Sequence, residues 1–152
     1  MLYAQPYNKD NGASPGLPLR LKANKTGAEN DMARGKVSEV YTQVLADLNA
    51  AEPLAIDKYS TDLLNTTRIH KNTIIAFKTR VYLHMGDYAK VQSEAAKIVS
   101  AASPFVATTG VPFALNSTFT GVFASPYTTK ESIFSMPFTS TDLAGTDRKS
   151  VV

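Results

Sequence analysis

The chain has 152 residues, 43% hydrophobic and 19% charged, which is the composition of one folded domain with a real core and excludes a disordered chain. Its net charge of +3 comes from basic residues scattered between Lys9 and Lys149, whereas a nucleic-acid surface gathers them on one face, so nucleic acid is not an expected partner. With no cysteine, disulfides, thiolate metal sites and a cysteine nucleophile are excluded.

In chain order, the first stretch, MLYAQPYNKDNG, has neither the basic head nor the apolar run of a signal peptide. Leu2 and Tyr3 at the start, and an uncapped DRKSVV at the end, read as a piece of something larger. Residues 1–36 read as loop, since QPYNKDNGASPGLPLRL holds three prolines and two glycines. No apolar run in the chain approaches the roughly 18 residues of a membrane helix.

Residues 37–102 read as a helical scaffold. Val37, Val40, Tyr41, Val44, Leu45, Leu48 and Ala51 form one apolar stripe of a helix over 37–52. Glu39 favours the dipole in its first turn and Pro53 ends it. After the linker IDKYSTDLLN, a second helix is expected over 68–85, capped by Asn65, Thr66 or Thr67. Its inward face takes Ile74, Phe77, Val81 and Met85 on one flank and Ile75 and Tyr82 on the other. Gly86 would cost about 1 kcal/mol inside a helix, so it reads instead as a left-handed residue closing this one. Asp87 then caps a third helix, with Val91, Ala95, Ile98 and Val99 inward, ending near Ala102-Ser103-Pro104. The two helices make an αα-hairpin. Tyr82, Gly86, Tyr88 and the small or apolar residues at 91, 95 and 98 have tetratricopeptide-like spacing, with Tyr88 folding back on the preceding helix. One such hairpin cannot bury its own apolar face, and the helix at 37–52 is the expected neighbour.

Residues 103–152 read as loops and short extended pieces, rich in Thr, Gly, Pro and aromatics. The best strand candidate is ESIFSMPF, residues 131–138, with Ile133 and Phe138 on the core side. The fold class is therefore mainly α, with tetratricopeptide-like antiparallel helix pairs and a loop-rich, partly extended C-terminal part.

Catalytic patterns fail on context. GASPG, residues 12–16, fits G-x-S-x-G, but it follows an Asn-rich loop, and Pro15 lacks the N–H an oxyanion hole needs; a turn is the better reading. His70 and His84 lie about 21 Å apart along one helix, cannot share a metal, and read as exposed polar residues. Asp47 and Glu94 fall on polar helix faces, and no paired-carboxylate cleft or metal spacing is present. Arg80 reads as a structural ion pair or a donor to loop carbonyls. Tyr41, Phe77, Tyr82 and Tyr88 read as core. The chain is expected to have no catalytic residue, no metal and no cofactor. The sequons at Asn24, Asn65 and Asn116 carry meaning only in a eukaryotic secretory pathway.

The order of segments is more specific than any single motif. RGKVSEVYTQVLADLNAAEPL, then TRIHKNTIIAFKTRVYLHMGDYAKVQSEAAKIV, then KESIFSMPF resembles the SusD/RagB family of Bacteroidetes outer-membrane lipoproteins. Arg34 and residues 39–50 match that family's EVYxxILxDLxxA helix. Ala76, Arg80, Tyr82, Leu83, Gly86, Asp87 and Tyr88 match its A-x-x-x-R-x-Y-L-x-x-G-D-Y phrase, and residues 131–134 its E-S-I-F segment. AQPYN followed by GLPL resembles its loop before the first helix. Lys36 departs from it, standing where a Ser or Thr cap is usual.

The resemblance covers most of residues 3–138 and implies a central segment of a longer protein, because family members run to several hundred residues behind a lipoprotein signal. It implies a non-catalytic glycan-binding role at the outer membrane, with delivery of oligosaccharide to a TonB-dependent transporter of the SusC type. Membrane attachment would come only through a lipid anchor outside this segment. The family's sugar site is built from variable loops, so no motif residue carries it over. The candidates are the loop aromatics Tyr7, Phe123 and Tyr127, which could stack on a sugar ring. The competing readings are a tetratricopeptide-like adaptor for a protein partner and a glycan-hydrolysing enzyme.

Overall fold

The computed structural model describes residues 4–23, 25–27, 30–125 and 128–136. A 3-10 turn at Tyr7–Lys9 precedes helix α1 (Val37–Ala51), which runs into another 3-10 turn at Glu52–Leu54. The short helix α2 (Asp62–Thr67), α3 (Lys71–Met85) and α4 (Tyr88–Ala95) follow, with a last 3-10 turn at Phe119–Phe123. The fold is mainly α and its centre is the tetratricopeptide-like pair α3–α4, with α1 against α3.

Helix α1 begins where its apolar stripe begins, and its cap has an unusual source. Lys36 offers no acceptor, so the Glu39 carboxylate reaches back to the Lys36 N–H at 2.9 Å, half of a capping box. The next two orphan donors are met from the N-terminal segment: Val37 N–H bonds the Ser14 carbonyl at 3.0 Å and Ser38 N–H the Gly12 carbonyl at 2.9 Å. Gly12 has φ +73, and a Cβ there would stand 2.7 Å from the Ser38 nitrogen. Only glycine lets the turn lie this close to the helix end. Arg34 fastens the same turn, donating through Nε to the Gly16 carbonyl at 2.7 Å and through Nη2 to that of Pro15 at 3.1 Å. GASPG is thus a turn that serves a helix N-terminus, and Ser14 donates its hydroxyl to Asp10.

The helix expected over 68–85 is two. Asn65, Thr66 and Thr67 do not cap it; they lie inside α2, which is capped by the Thr61 hydroxyl accepting from Leu64 N–H at 3.3 Å. The chain is extended at Arg68 and again at His70, the N-cap of α3. Lys71 N–H is taken by the Ile56 carbonyl at 3.0 Å, a partner that substitutes for another turn of helix.

The corner after α3 follows the sequence reading. Gly86 is left-handed with φ 79, Asp87 N–H closes back on the Tyr82 carbonyl at 3.0 Å, and the Asp87 carboxylate accepts from Lys90 N–H at 3.1 Å. The buried stripe of α3 is rotated from the expected one. Ile74, Ile75, Lys78 and Tyr82 are buried, while Phe77 is 44% exposed and belongs to no core. On α4 and the turn after it, Ile98 is buried, but Val99 is exposed and Tyr88 stays out at 67% instead of folding back. Asn72, Thr73 and Lys78 share the interior side of α3 with its apolar residues, and so they displace the apolar-only face.

Two polar devices fix the packing. Lys78, 3% exposed, bonds Glu52 at 2.6 Å and Glu94 at 3.1 Å, and Lys97 bonds Glu94 at 2.8 Å and Glu52 at 3.5 Å. Glu94 is therefore an interior anchor, not a residue of a polar face. Burial works against the charge on Lys78, but its hydrogen bonds to Glu52 and Glu94 outweigh it and hold the ammonium above its ordinary value. The hydrogen bond from Lys78 is the main cause that holds Glu52 below its own.

The second device is Asn72, 0% exposed. Its amide donates to the carbonyls of Thr109 at 2.9 Å and Val111 at 3.2 Å, and its oxygen accepts from Val111 N–H at 3.2 Å. This clamps the loop that brings Ala107, Val111 and Phe113 onto Ile75 and Ile98, the apolar core. The strand expected at 131–138 is absent over the described part. Ser135 N–H makes a single bond to the Thr66 carbonyl at 2.9 Å, and Ile133 packs against the core as expected. With one contact in place of a ladder the segment is an irregular strap; Phe138 lies outside the described residues.

Candidate functional site

The C-terminal loop leaves the core at Phe113 and returns at Ile133. Its base is stapled by Ala114 N–H to the Lys130 carbonyl at 2.9 Å and Leu115 N–H to that of Pro104 at 3.1 Å. Asn116 adds a bond from its N–H to Glu131 Oε2 at 3.0 Å and one from its amide to the Thr129 hydroxyl at 3.1 Å. On this base stands the Phe119–Phe123 turn, started by the Thr118 hydroxyl accepting from Gly121 N–H at 3.2 Å.

The turn presents two aromatic rings to solvent. Phe119 is 80% exposed and Phe123 64%, yet their centroids are 5.4 Å apart in an edge-to-face arrangement at 66°. An edge-to-face pair is a favoured aromatic geometry, so the rings hold each other without a core. The polar groups of Asn116, Thr118 and Thr120 border them in the chain. Such a surface offers an apolar face rimmed with hydrogen-bonding groups and no charge within the turn itself. It suits a flat, partly apolar, hydroxylated ligand.

Below the loop, a cleft of about 400 Å³ opens between Tyr59, Asp62 and Asn65 on one side and Phe113 and Lys130 on the other. Two of its polar side chains are engaged: Tyr59 donates its hydroxyl to the Ile69 carbonyl at 3.0 Å, and Asn65 Oδ1 accepts from Tyr59 N–H at 2.6 Å.

Of the aromatic candidates, Phe123 is at this surface. Tyr7 is half-buried, its centroid 5.0 Å from that of Tyr41, and it packs over Gly12, so its ring supports the cap of α1. It still edges an apolar groove of about 340 Å³ with Leu17, Val40 and His84. Tyr127 lies outside the described residues. Phe119 was not singled out by sequence reasoning; its signal is the four-residue spacing to Phe123 behind the capping Thr118, in TFTGVF.

The histidine expectations divide. His84 is exposed, as read. His70 is not: it is 0% exposed, its ring stacked on Phe113 at 5.4 Å and 22°, with Nε2 2.7 Å from the Asn65 carbonyl. The break between α2 and α3 turns it inward. Arg80 is exposed, edging a groove of about 320 Å³ with Thr73, Phe77, Glu131 and Ile133, and makes no ion pair among the described residues. Among the described residues no cluster of His, Asp and Glu could hold a metal, and no helix is long and apolar enough to cross a membrane.

No family model matches the sequence, and no curated protein matches it. Solved structures do. A SusD superfamily protein from Bacteroides fragilis is 26% identical with a TM-score of 0.75 over 96% of this chain and 30% of its own. A SusD superfamily protein from Bacteroides thetaiotaomicron is 27% identical, TM-score 0.56, over 68% of this chain and 21% of its own. A SusD-like carbohydrate binding protein from Bacteroides vulgatus is 25% identical, TM-score 0.52, over 62% and 19%. The chain spans less than a third of the length of each.

Proposed function

We propose, from its similarity to SusD superfamily proteins of known structure, that the chain is part of a non-catalytic glycan-binding component of an outer-membrane uptake system. The observation that carries this reading is the solvent-facing Phe119–Phe123 pair on a stapled loop. An aromatic face carries partial negative charge and an apolar surface, and the axial C–H face of a pyranose is its complement. The hydroxyls of Thr118 and Thr120 beside the rings can meet the equatorial hydroxyls. Helices α1, α3 and α4 act as the frame. In this reading the captured oligosaccharide passes to a TonB-dependent transporter of the SusC type, and the assembly sits at the outer membrane through an anchor on the longer protein.

Isothermal titration of the chain against neutral oligosaccharides tests the proposal. Phe119→Ala and Phe123→Ala should each weaken binding about tenfold, about 1.4 kcal/mol, and leave the melting temperature within a degree or two, since both rings are exposed. Failure of every sugar to bind, with saturable binding of a peptide, would replace the proposal by the adaptor reading. New reducing ends appearing in the titrated sugar would make the protein an enzyme.

A further inference from the structure

The cleft between residues 58–66 and the feet of the 113–133 loop carries more positive charge than its own carboxylate balances. Lys58 lines it from one segment and Lys130 from the other. Both are exposed, and neither makes an ion pair among the described residues. The lysines of the adjoining groove are held by carboxylates, Lys71 by Asp57, and Lys97 by Glu94 at 2.8 Å and Glu52 at 3.5 Å. Lys58 stands where that groove and the cleft meet, since it lines both. Glu131, next to Lys130 in the chain, is engaged elsewhere, its Oε2 accepting from Asn116 N–H at 3.0 Å. Among the described residues Asp62 is the one carboxylate lining the cleft, against two ammonium groups.

We propose that this cleft is a subsite for an acidic sugar, whose carboxylate or sulfate ester is met by Lys58 and Lys130. The subsite deepens the glycan reading above and rests on it for the sugar, while the demand for an anion rests on the two lysines. A volume of about 400 Å³ is within the range of small-molecule sites. Its floor is apolar and fixed: Pro112 is exposed between buried Val111 and Phe113, and Asn72 holds Val111 through both its N–H and its carbonyl. That ridge suits the C–H face of a pyranose. Hydroxyls line the walls at Ser60, Thr128 and Thr129; Thr129 accepts from the Asn116 amide at 3.1 Å and keeps its own O–H to donate. An ionised carboxylate only accepts, so Asp62 is a partner for ring hydroxyls and not for the anion. A neutral sugar would leave the two ammonium groups without a counter-charge, and a bare inorganic anion would leave Asp62 and the hydroxyls unused. An acidic sugar answers both sets. A lysine ammonium acts as a point charge, so it takes a carboxylate or a sulfate alike, and the chain's net charge of +3 draws either one in.

NMR titration of the chain with an oligogalacturonate, with its methyl ester (the same shape without the charge) and with a sulfated neutral oligosaccharide tests the subsite. At least one acidic probe should move the amides of Tyr59, Phe113 and Thr129 and bind about tenfold more tightly than the methyl ester, two exposed charge contacts being worth about threefold each. Raising salt from about 20 mM to about 300 mM should remove most of that difference. Lys58→Gln and Lys130→Gln should each weaken the acidic probe about threefold, whereas Lys22→Gln, the same loss of charge at an exposed residue outside the cleft, should not. The uronate and sulfate arms show which anion the lysines take. Methyl ester bound as tightly as both acidic probes, Lys22→Gln acting like the cleft variants, or silence of both acidic probes overturns the subsite. The Phe119→Ala, Phe123→Ala double variant separates the two proposals. Acidic binding that depends on the lysines and survives loss of the rings supports the cleft and removes the aromatic pair from the glycan reading. Neutral-sugar binding that is lost with the rings, with both lysine variants unchanged, overturns the cleft and leaves that reading standing.

Discussion

At the scale of single residues, the buried amide of Asn72 holds the loop at 109–111 with three hydrogen bonds, and a glycine makes room for it. Gly110 has φ +69, and a Cβ there would stand 2.0 Å from Asn72 Oδ1. Gly110→Ala meets both objections at once, the left-handed backbone and the collision with a side chain that has no free rotamer. Chemical denaturation should show a loss of about 2–4 kcal/mol. Asn72→Ala removes the same clamp from the other side and leaves buried backbone groups of Val111 and Thr109 unpaired, which is expected to cost about 2–4 kcal/mol as well. The double variant should cost less than the sum, because both changes break one contact.

At the scale of elements, the corner and the ion cluster hold the helices by different means. Gly86→Ala forces a Cβ onto a left-handed residue with room for it, 3.9 Å from Asn8 Cβ. Its cost should be the backbone term alone, about 1 kcal/mol, read from the denaturation midpoint. Lys78→Met strands Glu52 and Glu94 beside each other with only the half-exposed Lys97 to share. About 3 kcal/mol should be lost, since removing one member of a buried pair leaves the others uncompensated. The contrast explains what could be read from the chain. The Gly86-Asp87 corner, α1 and the hairpin were legible because their causes lie within a few residues: a stripe, a cap, a breaker. Lys78 and Asn72 were not, because their partners lie 26 and 39 residues away, and a polar residue on a helix gives no local sign that it points inward. His70 was misread for the same reason, since the carbonyl of Ile56 that ends the helical stretch ahead of Lys71 lies outside any local pattern. Of the surface aromatic pair, Phe123 was visible as a loop aromatic and Phe119 was not, because pairing depends on the fold of the turn.

At the scale of the whole molecule, acid acts with the same sign through the buried His70 and the ion-paired Glu52. Burial holds His70 below its ordinary 6.5 in the folded state, so the unfolded chain takes up protons first and stability begins to fall as pH drops past about 6.5. Glu52 is held below its ordinary 4.5 by Lys78, so its contribution is complete above that value and is lost as pH falls through the depressed one. Thermal melts from pH 8 to pH 3 should therefore show a decline in two stages. His70→Gln should abolish the upper stage and Glu52→Gln the lower.

The Gly86 corner has one more consequence, in time. It joins two helices that follow one another in the chain, so their contacts form without closing a long loop, whereas the Asn72 clamp must bring together residues 39 positions apart. Local contacts cost less chain entropy and tend to form early. In stopped-flow experiments, Gly86→Ala should chiefly slow refolding, while Asn72→Ala should chiefly speed unfolding. The helical frame would then assemble first and the loop with its two exposed rings would be fastened last, and on the way out it would be the first part to leave.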